Sequence, residues 1–128
     1  MYVLSHFVPH RLDRLAEEAF IEYSLNLFST LEQTQNEAAL QRYVKTIEKL
    51  PPDFVTETLN HLLEEFANDR NYSAGLNALK VLANPETRIL RMNNYCESIT
   101  VSILETIHEN CSENLQHLEL MNSYLKVF

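Results

Sequence analysis

Apolar residues between residues 96 and 120 change their spacing part-way, and this constrains the fold more than any other feature of the chain. Four of them are linked by offsets of three and four, which place them on one helical face: Ile99, Ile103, Leu104 and Ile107. Leu115, Leu118 and Leu120 are instead separated by three and two residues, and positions two apart share a face of a strand. The stretch therefore predicts a helix followed by a short strand.

An upstream copy of this pattern indicates a repeat. Leu90 and Met92 precede Leu118 and Leu120 by one common separation, although Thr87 occupies the remaining apolar slot. That separation lies within the period of about 20 to 29 residues, with a short strand and a helix in each unit, that is typical of leucine-rich repeats. The alternative is that residues 115 to 125 continue as an ordinary helix, with Leu115, Leu118, Met121 and Leu125 on one face.

The stretch resembles the cysteine-containing leucine-rich repeats of ubiquitin-ligase substrate receptors. The residues that carry the resemblance are Cys96, Ile99, Thr100, Leu104, Ile107, Cys111, Leu115, Leu118 and Leu120. It implies that Cys96 and Cys111 pack inward as small apolar side chains rather than forming a disulfide. Because such repeats need about three or more units to bury their faces, it also implies the N-terminal part of a longer receptor.

Ahead of this stretch, apolar residues recur at helical spacing in four segments. The first contains Leu12, Leu15, Ala16, Ala19, Phe20, Tyr23 and Leu27. The second contains Ala39, Leu40, Tyr43, Val44 and Ile47. The third contains Val55, Leu59, Leu62, Leu63 and Phe66. The fourth contains Leu76, Leu79, Leu82 and Ala83. We expect a helical cap over residues 1–85, followed over residues 86–128 by about two leucine-rich repeats with short parallel strands and one repeat helix.

Polar residues and prolines predict where these helices begin and end. Residues 29–36 are mostly polar and predict a connection, with Asn36 capping the second helix by accepting a backbone N–H bond. Pro51 and Pro52 are expected to end that helix and open the third, because proline lacks the N–H that only a first turn can spare. Ser73 is the predicted cap of the fourth helix.

Two short segments resemble the von Hippel-Lindau box of substrate receptors of the Zyg-eleven type, in which such a box precedes leucine-rich repeats. Leu12, Ala16 and Phe20 are similar to the elongin C-binding box, with alanine where cysteine is usual. Leu50, Pro51 and Phe54 are similar to the cullin-binding box. The resemblance implies that these six residues bind elongin C and a cullin. The alternative is that Leu12, Ala16 and Phe20 form the apolar face of an amphipathic helix and pack in the core of the protein.

Two other interpretations of the chain remain, and the first uses some of the same residues. Residues 50–63 also resemble the start of an F-box, which binds Skp-type adaptors, although this chain lacks the tryptophan common near the end of that motif. A leucine-rich scaffold that binds protein without a ligase is the other. All three interpretations describe a protein-interaction adaptor rather than an enzyme. His61 with Glu64 and Glu65 lacks a second histidine at metal spacing, and one glycine cannot form a phosphate-binding loop, so we expect neither a metal nor a cofactor.

Charge narrows the range of partners. The net charge of −8 would repel the phosphates of nucleic acid and of anionic lipid, so we expect neither as a partner. The 128 residues suffice for one domain with a core. Residues 1–9 lack the basic region of a signal peptide, and no segment has the apolar length of a membrane span. The sequence thus predicts a soluble protein of the cytoplasm or nucleus.

Overall fold

The computed structural model describes residues 9–111 and 113–120, and side chains from Ala16 onward within these ranges. The element order is α1 (Pro9–Thr34), α2 (Glu37–Glu48), α3 (Pro52–Asn68), α4 (Tyr72–Leu82), β1 (Ile89–Arg91), α5 (Glu97–Cys111) and β2 (His117–Glu119). The described part of the chain is therefore mostly helical, with two short strands, and four of its helices precede residue 85 as the apolar spacing predicted.

The first helix is longer than predicted. The polar stretch from residue 29 was expected to form a connection, but α1 continues to Thr34. Its hydroxyls bond within the helix: Ser29 and Thr30 donate to the carbonyl of Asn26 at 3.1 and 2.9 Å, and Thr34 donates to that of Thr30 at 3.0 Å. Only Gln35, with φ of 49°, and Asn36 connect α1 to α2.

The first helix also buries a different face from the predicted one. Ala16, Ala19 and Tyr23 are exposed, whereas Ser24 and Phe28 are fully buried. The reason lies in α2, where Tyr43 is 0% exposed and its hydroxyl lies 2.6 Å from that of Ser24. Because the Ser24 hydroxyl has a hydrogen-bond partner there, this polar residue can be buried. The face of α1 that contains Ser24 and Phe28 therefore packs on the core.

The starts of α2 and α3 agree with the prediction. The Asn36 side chain accepts a hydrogen bond from the backbone N–H of Ala39 at 3.1 Å and so caps α2. Pro51 precedes α3 as its cap residue in an extended conformation, and Pro52 is its first residue. All five apolar residues of the third segment are buried: Val55, Leu59, Leu62, Leu63 and Phe66.

The predicted cap of α4 is wrong by two residues. Asn71 caps this helix, with its side chain accepting from the backbone N–H of Ala74 at 3.4 Å, and Ser73 lies exposed within the first turn. Both residue types can cap a helix, so the sequence did not separate them. Gly75 lies buried in the next turn, directly against the ring of Tyr95.

The two strands form a parallel sheet. Ile89 lies opposite His117, Leu90 opposite Leu118 and Arg91 opposite Glu119, so the pairing has the register that the repeated pattern predicted. The alternative of a helix through residues 115 and 118 is wrong, because residues 117–119 are a strand. Residues 121 and 125, which that alternative included, lie outside the described residues.

A side chain of α3 forms hydrogen bonds with the backbone of β1 on the side away from β2. The buried amide of Asn60 donates to the carbonyl of Ile89 at 3.0 Å and accepts from the backbone N–H of Arg91 at 2.8 Å. These are the two backbone groups that a neighbouring strand would otherwise bind. Asn60 therefore takes the place of a strand on the side of β1 away from β2.

One apolar core runs through the described part of the chain. It combines Phe28 and Tyr43 with side chains of α3 and α4, with Leu90 and Met92 at β1, and with Ile103 of α5. Residues on both sides of residue 85 share this core, and the division into a cap of residues 1–85 and a repeat segment of residues 86–128 stays a prediction.

The two cysteines differ in burial. Cys111 is buried, as predicted, and its burial raises the pKa of its thiol. The prediction that Cys96 is also buried is wrong, because this residue, just before α5, is partly exposed. Its sulfur lies 3.1 Å from the hydroxyl of Ser98 in the first turn of α5.

Across residues 9–111 and 113–120, no helix combines the length and the apolar content needed to span a bilayer.

Candidate functional site

Two segments that lie far apart in the sequence meet at an open groove on the surface. The first half of α1 forms one wall, and the turn that leads into α3 forms the other. The groove has a volume of about 450 Å³ and is lined by Ala16, Glu17, Phe20, Leu50, Pro51 and Phe54. We call it the Leu50 groove.

Aromatic packing holds the two walls together. The Phe20 ring stacks on that of Tyr43 with centroids 5.5 Å apart and planes within 4° of parallel. The Phe20 ring also contacts the Phe54 ring, with centroids 5.6 Å apart and planes tilted by 44°. Tyr43 is fixed in turn by Phe28, whose ring meets it edge-on at 5.3 Å, and by the Ser24 hydroxyl. Phe20 thus joins the groove to the core.

Exposure divides the lining residues into two groups. Ala16, Glu17 and Pro51 are exposed, whereas Phe20, Leu50 and Phe54 are partly buried. The groove therefore has an apolar floor with a small residue at its helical rim, and Glu17 is its only ionisable lining residue among those described. Such a surface can bind an apolar side chain of another molecule.

Five of the six predicted binding residues lie together at this groove. The exception is Leu12, which belongs to α1 but whose side chain lies outside the described part. The alternative of core packing is wrong for Ala16, which is exposed, and holds in part for Phe20. The sequence prediction missed Tyr43, because nothing in its local spacing indicates that it stacks on Phe20.

Leu50 also lines a second, mainly apolar cavity. It has a volume of about 460 Å³ and is lined mainly by the end of α2, the start of α3 and the end of α4: Val44, Ile47, Glu48, Leu50, Pro52, Val55, Val81, Leu82, Asn84, Pro85 and Glu86. Leu50 lines both cavities, and Pro51 and Pro52 of the same turn line one each. A partner that covers the turn at residues 50–52 would contact both cavities.

Side chains on the strands form a polar network at the surface. Asn93 donates to one carboxylate oxygen of Glu119 at 2.9 Å, and His117 lies 2.8 Å from the other. These two hydrogen bonds lower the pKa of the Glu119 carboxyl, and the one from Asn93 has the larger effect. Arg91 on β1 and Gln116 just before β2 are exposed.

His61 and Glu65 lie one turn apart on α3 with 3.8 Å between nitrogen and oxygen, and both are about half exposed. In residues 9–111 and 113–120, no group of three or more histidine, cysteine, aspartate or glutamate side chains has a geometry that could hold a metal ion. His61 and Glu65 are therefore a surface pair.

Comparison of the chain with protein-family models, with curated proteins and with solved structures found no match.

Proposed function

We propose that this protein is a protein-interaction adaptor and that the Leu50 groove receives its partner. The observation that carries the proposal is the meeting of Phe20 and Phe54 at a ring distance of 5.6 Å, which joins two segments that are similar to partner-binding boxes. Exposed Ala16 and Pro51 leave the groove open beside these rings. Small and apolar residues on one helical face suit a helix-in-groove contact.

Elongin C and a cullin are the partners that the resemblance implies. Ala16 and Phe20 on α1 would contact elongin C, and Leu50, Pro51 and Phe54 would contact the cullin. The two sets line one groove, and Leu50 also lines the neighbouring cavity, so adjacent surfaces of a two-protein partner could be covered together. The protein would then act in the cytoplasm or nucleus as a substrate-recognition subunit of a cullin-RING ubiquitin ligase.

The leucine-rich repeat is part of the same proposal. Three observations support it: parallel pairing in the register of the repeated pattern, a helix between the paired strands, and the buried positions of Leu90 and Ile103 facing one core. Repeats of this kind bury a continuous core by stacking, and a first unit needs a cap on its open side. Asn60 and the helices ahead of β1 would supply that cap.

Retention on immobilised elongin B–elongin C complex tests the proposal. The wild-type chain should be retained, and Ala16→Glu should reduce the affinity by about 1 to 3 kcal/mol, because a charge would enter an apolar contact. Ala38→Glu is the matched control, since Ala38 is exposed on α2 and lines neither the groove nor the cavity beside it. Circular dichroism should show both variants as helical as the wild type.

Two results would contradict the proposal. One is no retention of the wild-type chain at high protein concentration. The other is equal retention of the Ala16→Glu and wild-type chains. Retention of another protein at the strand surface alone, insensitive to Ala16→Glu, would instead favour a leucine-rich scaffold without a ligase, for which the exposed residues Arg91 and His117 offer contacts.

A further inference from the structure

A second groove lies on a different side of α1, against the C-terminal end of α3. It has a volume of about 630 Å³ and is lined by Ala19, Glu22, Tyr23, Leu25, Asn26, Ser29, Glu65, Phe66 and Asp69. It shares no lining residue with the Leu50 groove. We call it the acidic groove because of the charges described next.

Three carboxylates and no cation line the acidic groove in the described part of the chain. Glu22 comes from α1, and Glu65 and Asp69 come from the end of α3, so the negative charges lie on both walls. Arg70 follows directly in the sequence but is not a lining residue, and neither is His61, whose ring nitrogen lies 3.8 Å from the Glu65 carboxylate. The potential inside the groove is therefore negative.

The position of two of these carboxylates works against the stability of the fold. Glu65 and Asp69 lie at the C-terminal end of α3, where the aligned peptide dipoles give the helix its partial negative charge. Cations are favoured at such an end, but the last turn of α3 contains no basic residue. Side chains that oppose the local electrostatics are typical of functional sites.

The floor of the acidic groove is apolar. Phe66 is buried and Leu25 partly buried, and Tyr23 stands beside them with 47% of its surface exposed. The Tyr23 ring is held against that of Tyr43 at 5.7 Å. An aromatic ring beside carboxylates suits a guanidinium or ammonium group, whose aliphatic stem packs on the floor while its charge meets a carboxylate.

We propose that the acidic groove binds a basic peptide segment of a partner protein in which apolar and cationic side chains alternate. The groove is too large for one ion, and in the described residues no three potential ligands converge on one point, so the charges suit a spread-out cation rather than a metal. The apolar floor selects a peptide over a plain polyamine. This inference does not rest on the proposed function, because the two grooves share no residue.

Fluorescence anisotropy with a labelled peptide of alternating arginine and leucine tests the proposal. The peptide should bind the full chain and weaken with salt. The double variant Glu22→Gln/Glu65→Gln should bind about tenfold more weakly, since it removes a charge from each wall. The matched double variant Glu57→Gln/Glu105→Gln has the same net charge but lies outside the groove, and should change binding by less than about twofold.

Two further measurements separate specific binding from general charge attraction. A peptide of alternating arginine and glycine should bind several-fold more weakly. Asp69→Asn should weaken the arginine–leucine peptide and yet raise the melting temperature, because it removes a negative charge from the negative end of α3.

Three outcomes would overturn the proposal: no binding of the wild-type chain, equal loss in the two double variants, or equal binding of the leucine and glycine peptides. Retention on elongin should be unchanged in Glu22→Gln/Glu65→Gln, so failure here is distinguishable from failure of the Leu50 groove.

Discussion

Contact between Gly75 and Tyr95 shows how closely single residues are fitted. The Tyr95 hydroxyl donates to the carbonyl of Leu63 on α3 at 2.6 Å, and its ring passes directly over Gly75 of α4. A Cβ atom at Gly75 would lie 2.8 and 2.9 Å from two ring carbons, closer than such atoms can approach. The only glycine of the chain is therefore required by its neighbour rather than by its own backbone angles.

Gly75→Ala should lower the free energy of unfolding by about 1 to 3 kcal/mol, the usual cost of overpacking a core. In an open helix the same change would stabilise, because alanine is the better helix former. Urea denaturation measures the difference, with Ser73→Ala in the first turn of α4 as the exposed control. An unchanged or increased stability of Gly75→Ala would show that Tyr95 can move aside without cost.

At the scale of the helices and strands, the sequence predicted what depends on local spacing. The α3 stripe, the Asn36 cap and the proline start of α3 are set by neighbours within one or two turns. The face of α1 is not, because it depends on Tyr43, which arrives from another helix to bond Ser24. The meeting of Phe20 with Phe54 is likewise a tertiary contact, so the resemblance named the lining residues of the groove except Glu17 but did not give their geometry.

Asn60→Ala should destabilise the junction of α3 with β1 by about 2 to 4 kcal/mol, because two backbone groups of the strand lose their partner at once. The loss should be local: hydrogen exchange at the amide of Arg91, which donates to Asn60, should accelerate more than exchange elsewhere in the described helices. His61→Ala, the exposed neighbour on α3, is the control. Unchanged protection of Arg91 in Asn60→Ala would contradict this role of the side chain.

Across the whole molecule, two buried tyrosines connect the helices and make the fold sensitive to alkali. Burial raises the pKa of Tyr43 from 10.0 to about 12, and burial raises the pKa of Tyr95 in the same direction. Between pH 10 and 12 the unfolded chain therefore releases the Tyr43 proton while the folded chain retains it. The folded state binds more protons, so its stability falls as the pH rises through this range.

We expect Tyr43 alone to account for a loss of roughly 2 to 3 kcal/mol by pH 12, since each unit of pKa difference corresponds to about 1.4 kcal/mol. The urea midpoint of unfolding, measured at a series of pH values, should decline across this range. Phenolate absorbance at the same pH values reports tyrosine ionisation. Tyr43→Phe starts from a lower stability, because Ser24 loses a partner, but its stability should fall less steeply with pH. Equal slopes for the two proteins would mean that Tyr43 ionises without unfolding.

Exposed strand edges are the sites at which separate chains most readily pair and aggregate. In this protein the side-chain amide of Asn60 occupies the edge of β1. By copying the donor and acceptor of a peptide bond, Asn60 denies a second chain the template that β1 would otherwise offer. A hydrophobic substitution at this position would keep the helix yet leave the Ile89 carbonyl and the Arg91 N–H without this partner. We therefore expect such a variant to aggregate before it loses its helical structure.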